Sequence, residues 1–117
     1  MRRNLTKTER LSKVSEIKRT FASGKRVSIP GAKLVFAANN LDYSRFMVTL
    51  VRKYGNAVQR NRAKRLAREV FRLNKHWLKP GFDIVIVFFP DNDEFDVREC
   101  QMLKLFTKAR LCSGRGE

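Results

Sequence analysis

KYGNAVQRNRAKRLAREVFR, residues 53–72, is the stretch on which the reading of this chain turns. From Arg60 to Arg72, six of thirteen residues are Arg or Lys, and Glu69 is the single acid among them. Like charges at helical spacing destabilise an isolated helix by roughly a few tenths of a kcal/mol per pair. A helix written this way needs an anionic neighbour. Placed at about 100° per residue, Ala63, Leu66, Ala67, Val70 and Phe71 fall on one side as a core stripe. Asn61, Arg62, Lys64, Arg65, Arg68 and Arg72 fan over the opposite side, with Arg60 at the border. Gly55-Asn56 breaks the preceding segment and starts the helix, predicted over residues 57–74.

The elements on either side can be read outward from this helix. Leu11, Val14, Ile17 and Phe21 recur at three- and four-residue spacing and predict a first helix. Ser12, or a Thr6/Glu9 capping box, would start it, and Gly24 would stop it. Residues 33–38, after Pro30-Gly31, read as a strand. Residues 44–51 read as a second strand, in which Phe46, Val48 and Leu50 alternate with Arg45, Met47 and Thr49. NNLDY between the two has the look of a hairpin loop. Residues 82–89 read as a strand whose apolar run is unbroken from Ile84 to Phe89, the pattern of a strand covered on both faces. A last helix, about 95–111, carries Met102, Leu103, Phe106 and Ala109 inward, with Asp93 or Asp96 as its N-cap. The order is α-β-β-α-β-α, a two-layer α/β (α+β) sandwich with a small sheet. One domain spans residues 1–117, with a basic arm at 1–10 (Arg2, Arg3, Lys7, Arg10) and a flexible tail at 112–117.

Composition narrows the function. The chain has 117 residues, 26 Lys and Arg against 11 Asp and Glu, and a net charge of +15. Such self-repulsion is tolerable beside a polyanion. The apolar run at residues 84–89 is far too short to span a bilayer, and the basic start has no apolar stretch behind it, so it does not read as a secretory signal. The expectation is a soluble, cytoplasmic protein. Cys100 and Cys112 make no disulfide framework, and no Cys/His set has zinc-ligand spacing.

Three fates compete for the cationic face. A solvated face mixes signs, and this one does not. A membrane-surface helix sets bulky apolar residues opposite its cations, whereas here two alanines and the core occupy that side. Phosphate binding accounts for more. Arg outnumbers Lys five to two between Arg60 and Lys75, and guanidinium forks grip phosphate oxygens bidentately. The helix N-terminus adds exposed amides and a positive dipole end, and Arg52 and Lys53 extend the patch. A helix-turn-helix DNA reader would place another helix just before this one, but strands precede it. A protein-only nuclease has little to work with. His76 is the single histidine and lacks a partnered acid or base. Asp91, Asp93, Glu94 and Asp96 fit no calcium loop and stand where a helix start welcomes acids, so no metal site is firmly assigned.

The stretch also resembles the signature of a known family, the protein component of bacterial ribonuclease P, with the pattern K-x-G-N-A-V-x-R-N-R-x-K-R-x-x-R. Lys53, Gly55, Asn56, Ala57, Val58, Arg60, Asn61, Arg62, Lys64, Arg65 and Arg68 match it. The likeness extends over about residues 10–111, from Arg10-Leu11 through F-x-x-G at Phe21 and Gly24. It implies a mixed sheet with a left-handed βαβ crossover. It also implies that a catalytic RNA partner with bound Mg²⁺ removes the 5′ leader of precursor tRNA, the protein itself having no catalytic residue and being a monomer outside the particle. Arg52, Lys53, Asn56, Arg60, Asn61, Arg62, Lys64, Arg65, Arg68 and Arg72 would then bind the catalytic RNA. Ile17, Phe21 and Val35 would line a cleft for the single-stranded leader. This chain departs from the family where aromatics are frequent, at Ile17 and Val35, and Val51 stands where a serine is common. Without the resemblance, a stand-alone RNA-binding or ribosome-associated protein is the alternative.

Overall fold

The computed structural model describes residues 10–111; the Thr6/Glu9 box, the rest of the basic arm, Cys112 and the tail lie outside them. The elements are α1 (Val14–Ser23), β1 (Lys25–Ile29), β2 (Ala32–Ala38), β3 (Arg45–Leu50), α2 (Ala57–Asn74), β4 (Phe82–Phe88) and α3 (Phe95–Lys108). The six expected elements stand in the expected order, and β1 is an addition to them. Its sequence, KRVSI, is mostly polar and its side chains are mostly exposed, and only Val27 and Ile29 alternate inward, too short a pattern to mark a strand by itself. Its strand state comes from pairing. Pro30-Gly31 closes a two-residue turn that sets Ile29 opposite Ala32. Pro suits the second position of a type II turn, and Gly the third, which needs positive φ; Gly31 has φ +89°.

The sheet runs β1-β2-β4-β3. β2 is antiparallel to β1 and to β4, and β3 is parallel to β4. Residues 39–43 therefore do not close a hairpin, contrary to the reading of NNLDY, because β4 lies between β2 and β3. The reason is burial: every β4 side chain from Asp83 to Phe88 is buried, and such a strand belongs at the centre, covered on both faces. On one face, Leu34, Phe36, Phe46, Val48, Ile84, Ile86 and Phe88 pack with the inner stripes of α2 and α3. On the other, Val35, Val85 and Val87 pack with Leu11, and Ile17 and Phe21 of α1 lean on them. α1 lies over β2 and β4, and beside it a strip of this face formed by Lys33, Met47, Thr49 and Val51 is half-buried rather than buried.

The hand of the β3-α2-β4 crossover follows from stereochemistry. Phe88 points its side chain toward α2 and α3, and its carbonyl accepts from Val51 N–H at the end of β3 (3.2 Å). For an L-residue whose side chain faces the viewer on a strand running upward, the carbonyl points right. Viewed from α2, β3 therefore lies right of β4, and the path from β3 over α2 to β4 moves left. That is a left-handed crossover, against the right-handed rule that holds in about 98% of cases.

Two expected helix caps are replaced. Leu11 N–H donates to the Phe46 carbonyl (2.9 Å), and Arg10 bridges Phe46. This extended pairing delays α1, so Lys13, not Ser12, precedes it, and Val14 is 66% exposed rather than inward. At α3, Glu94 occupies the N-cap position with no capping bond from its side chain, and Asp96 lies in the first turn. Asp93 is turned away, bonded elsewhere.

Candidate nucleic-acid interface

α2 begins with a complete capping box. Asn56 Oδ1 accepts from Gln59 N–H (2.9 Å), and Gln59 Oε1 accepts from Asn56 N–H (3.0 Å). Two of the amides left unpaired at a helix start are thereby satisfied. Gly55 is needed for this geometry: its φ is +153°, and a Cβ there would lie 2.2 Å from Gln59 Oε1. Ala63, Ala67, Val70 and Phe71 are buried against the sheet, with Phe71 stacked on Phe46 at 4.3 Å between ring centres. Leu66 is half-buried at the stripe's margin.

The cationic side is as segregated as its spacing predicts. Asn61, Arg62, Arg65 and Arg68 are exposed, as are Arg52, Lys53 and Asn56 just before the helix. Arg60, Lys64 and Arg72 are half-buried. Some of these groups have internal tasks. Arg60 Nη1 donates to the carbonyls of Val51 and Arg52 (3.3 and 3.4 Å), bracing the turn that carries Arg52 and Lys53. Arg62 Nε donates to the Asp93 carbonyl (3.2 Å). Arg72 forks onto Glu69, Nε to Oε1 at 3.0 Å, and this hydrogen bond holds the Glu69 carboxyl below its usual range. Among the described residues Lys64, Arg65 and Arg68 form no ion pair, and their charge faces outward. Lys64 and Arg68 also join Arg10 around a recess of about 330 Å³ at the outer edge of β3, where Arg10 and Leu11 pair with Phe46.

A buried cluster that the sequence reading did not single out anchors the start of this face. Arg98 is fully buried on α3, and all five of its N–H donors are used. Nε reaches Asp93 Oδ1 (2.9 Å). Nη1 reaches the Gly31 carbonyl (3.2 Å) and Gln101 Oε1 (2.8 Å), and Nη2 reaches Tyr54 Oη (2.5 Å) and the Phe89 carbonyl (2.9 Å). Its guanidinium lies 4.0 Å from the centre of the Phe88 ring. A buried charge is tolerated when it is paired and its donors are satisfied. Tyr54 also donates to Asp93 Oδ1 (2.5 Å). Burial first, then that bond to Asp93, pushes the Tyr54 phenol up to about 12, with Arg98 opposing. The cluster ties the turn before α2, the β1–β2 turn and the segment before α3 to one point. One signal was present in the sequence: Arg98 stands four residues before Met102, on the apolar stripe of its helix.

Across the sheet, the predicted cleft residues come together unequally. Ile17 and Phe21 are half-buried, and Val35 is fully buried beneath α1. α1 is fastened by ion pairs. Asp83, fully buried on β4, receives Arg45 bidentately (both 2.8 Å), Arg19 (3.3 Å) and Asn39 Nδ2 (2.9 Å). Arg45 also holds Glu16 of α1 (2.9 Å). The hydrogen bonds that Arg45 donates to Asp83 foremost raise its guanidinium above its ordinary value, against the opposing effect of burial.

The remaining candidates are accounted for by position. His76 is exposed beside the Trp77 ring. Among the described residues, no group of three or more His, Cys, Asp or Glu is placed to hold a metal. Asp93 is bound to Arg98 and Tyr54, and Asp91 Oδ2 accepts from Gln101 (2.9 Å). No helix of the described residues is long and apolar enough to cross a membrane.

Comparison with known proteins agrees with this geometry. The family model described as Ribonuclease P matches residues 5–110. The ribonuclease P protein component of Syntrophus aciditrophicus is 45% identical over 83 residues, 71% of this chain and 70% of its own length. That of Thermotoga maritima is 39% identical over 87 residues, 74% of each chain. The solved structure of the Thermotoga maritima protein superposes with a TM-score of 0.78 at 32% identity, covering 86% of this chain and 96% of that one. The Staphylococcus aureus protein, at 22% identity, shares the fold with a TM-score of 0.81 over 97% of this chain and 98% of its own. With its signature helix and this likeness along nearly its whole length, the chain belongs to the ribonuclease P protein family.

Proposed function

We propose that this chain, as the protein subunit of ribonuclease P, docks the catalytic RNA on the cationic face of α2 and guides the 5′ leader of precursor tRNA along the half-buried strip of sheet beside α1. The observation that carries the reading is the Arg-rich face of α2, on which Arg62, Arg65 and Arg68 are exposed, continuous with exposed Arg52 and Lys53 at the end of β3. Arg52, Lys53, Asn56, Arg60, Asn61, Arg62, Lys64, Arg65, Arg68 and Arg72 would meet phosphates of the catalytic RNA. Arg62, Arg65 and Arg68 offer the outward forks, and Arg60 steadies the turn. Ile17 and Phe21 border the leader path, with Val35 supporting α1 from below. The chemistry, phosphodiester hydrolysis aided by Mg²⁺, is assigned to the RNA, as the family resemblance implies, and the cationic face of the protein suits it to hold phosphates rather than metal. The protein supplies position and charge neutralisation. It acts as a monomer in the cytoplasm until it joins the RNA.

Reconstitution tests this reading. The purified protein is mixed with a bacterial ribonuclease P RNA and precursor tRNA at low Mg²⁺, with leaders of several lengths, beside the protein alone. The expected result is faster cleavage at the mature 5′ boundary, growing with leader length, and none from protein alone. Tight salt-sensitive RNA binding with no stimulation for any such RNA would move the assignment to a stand-alone RNA-binding protein.

A further inference from the structure

Phe89 follows the last residue of β4. Phe88 is fully buried toward α2 and α3, and alternation turns the next side chain to the opposite face. Phe89 stands 39% exposed there, the single aromatic among the exposed large hydrophobic side chains of the described residues. Scattered apolar side chains on a surface need no explanation, but this one is held in place. Its N–H donates to the Gly31 carbonyl (3.0 Å), and its own carbonyl accepts from buried Arg98 (2.9 Å). Pro90 behind it restricts its backbone to extended conformations.

The surroundings are apolar beneath and cationic at both flanks. Val87 precedes Phe89 on the same face, and Val51 at the end of β3 lies beside it, tied to the Phe88 carbonyl. Lys33 sits opposite Val87 on β2, diagonal to Phe89 at the reach of a long side chain. Exposed Arg52 and Lys53 follow Val51. The nearest acids, Asp91 and Asp93, are already bonded to Gln101 and to Arg98 with Tyr54. An aromatic ring between two sets of free cations is complementary to unpaired RNA, which presents a base face between phosphates.

We propose that Phe89 is a specificity-determining stacking platform for one unpaired base of the 5′ leader, with Lys33 on one side and Arg52 and Lys53 on the other taking the adjoining phosphates. The proposal rests on the leader path described above. It gives this chain an aromatic contact at the far end of the half-buried strip, whereas Ile17 and Val35 offer apolar area without a π-face.

The test measures affinity of the reconstituted holoenzyme for precursor tRNAs with leaders of increasing length. Wild type is compared with Phe89→Ala, Phe89→Leu and Phe89→Trp, and an abasic nucleotide is moved along the leader. Stacking predicts that Phe89→Ala weakens binding of the long-leader precursor roughly 5- to 100-fold, that Trp restores it, and that Leu does not. One abasic position should erase the difference between wild type and Phe89→Ala. Full affinity in Phe89→Leu, or no abasic position with that effect, overturns the stacking role. If wild type gains affinity from the leader and Phe89→Ala gains as much, the leader path stands and the Phe89 assignment fails. If wild type gains nothing from any leader, both fail.

Discussion

Arg98 illustrates what one buried side chain contributes. Its five donors serve acceptors as far as 67 residues away in sequence, so its removal strands partners in three segments. Arg98→Met should cost about 3–5 kcal/mol, the range for losing one member of a buried pair, read as a lower urea midpoint. Tyr54 gives the cluster a pH signature. Its folded pKa, about 12, lies above the ordinary tyrosine value of about 10. The proton is therefore held more tightly in the folded state, and that stabilisation is complete below about pH 10 and lost toward about pH 12. The stability gap between wild type and Tyr54→Phe should be constant up to about pH 10 and close above it, measured by urea unfolding across a pH series; a gap that widens contradicts the cluster. Neither Arg98 nor Asp83 was legible as a core residue, because an isolated Arg or Asp reads as surface. Their burial depends on partners far along the chain, such as Arg45, 38 residues from Asp83.

At the scale of the element, α2 should report its RNA contacts through salt. Arg62→Ala, Arg65→Ala and Arg68→Ala should each weaken binding to ribonuclease P RNA and reduce the slope of log affinity against log salt by about one. Arg72→Ala should do less, because Glu69 already neutralises it. Wild-type slopes in all four variants would place the RNA elsewhere. α2 was legible because local signals agree along its length: Gly-Asn at the start, an alanine-lined stripe and one charge sign opposite it. β4 was legible from its unbroken apolar run. β1 was not, since Lys25, Arg26 and Ser28 fill an exposed edge strand whose state depends on the Pro30-Gly31 turn and on β2. The loop at residues 39–43 was misread for a related reason. Local sequence can show that two strands follow one another, but not that a third, from forty residues on, inserts between them. The segregated cationic face of α2 and the inward side of α1 at Ile17 and Phe21 were readable by spacing, whereas the coverage of Val35 by α1 depends on the packing of a separate helix.

The whole molecule carries +15 on 117 residues, and its own field opposes compaction. Raising monovalent salt from about 10 mM to about 150 mM shortens the Debye length from about 30 Å to about 8 Å, so the melting temperature should rise over that range. A flat or falling response would mean that charges are balanced locally. The central place of β4 also sets the order in which the chain can be built. β4 is the strand that joins β2 to β3, yet it is synthesised last of the four. As the polypeptide leaves the ribosome, β3 has no ladder and α2 no sheet to cover until Phe82–Phe88 emerge. At roughly 5–20 residues per second, the interval from Asn74 to Phe88 lasts about one to three seconds. Throughout that interval the most basic segment of the nascent chain waits, unburied, beside the ribosome's own RNA. Cotranslational assembly of this domain is thus gated by its C-terminal third, and a stall before β4 would leave a polycation where a folded subunit should be.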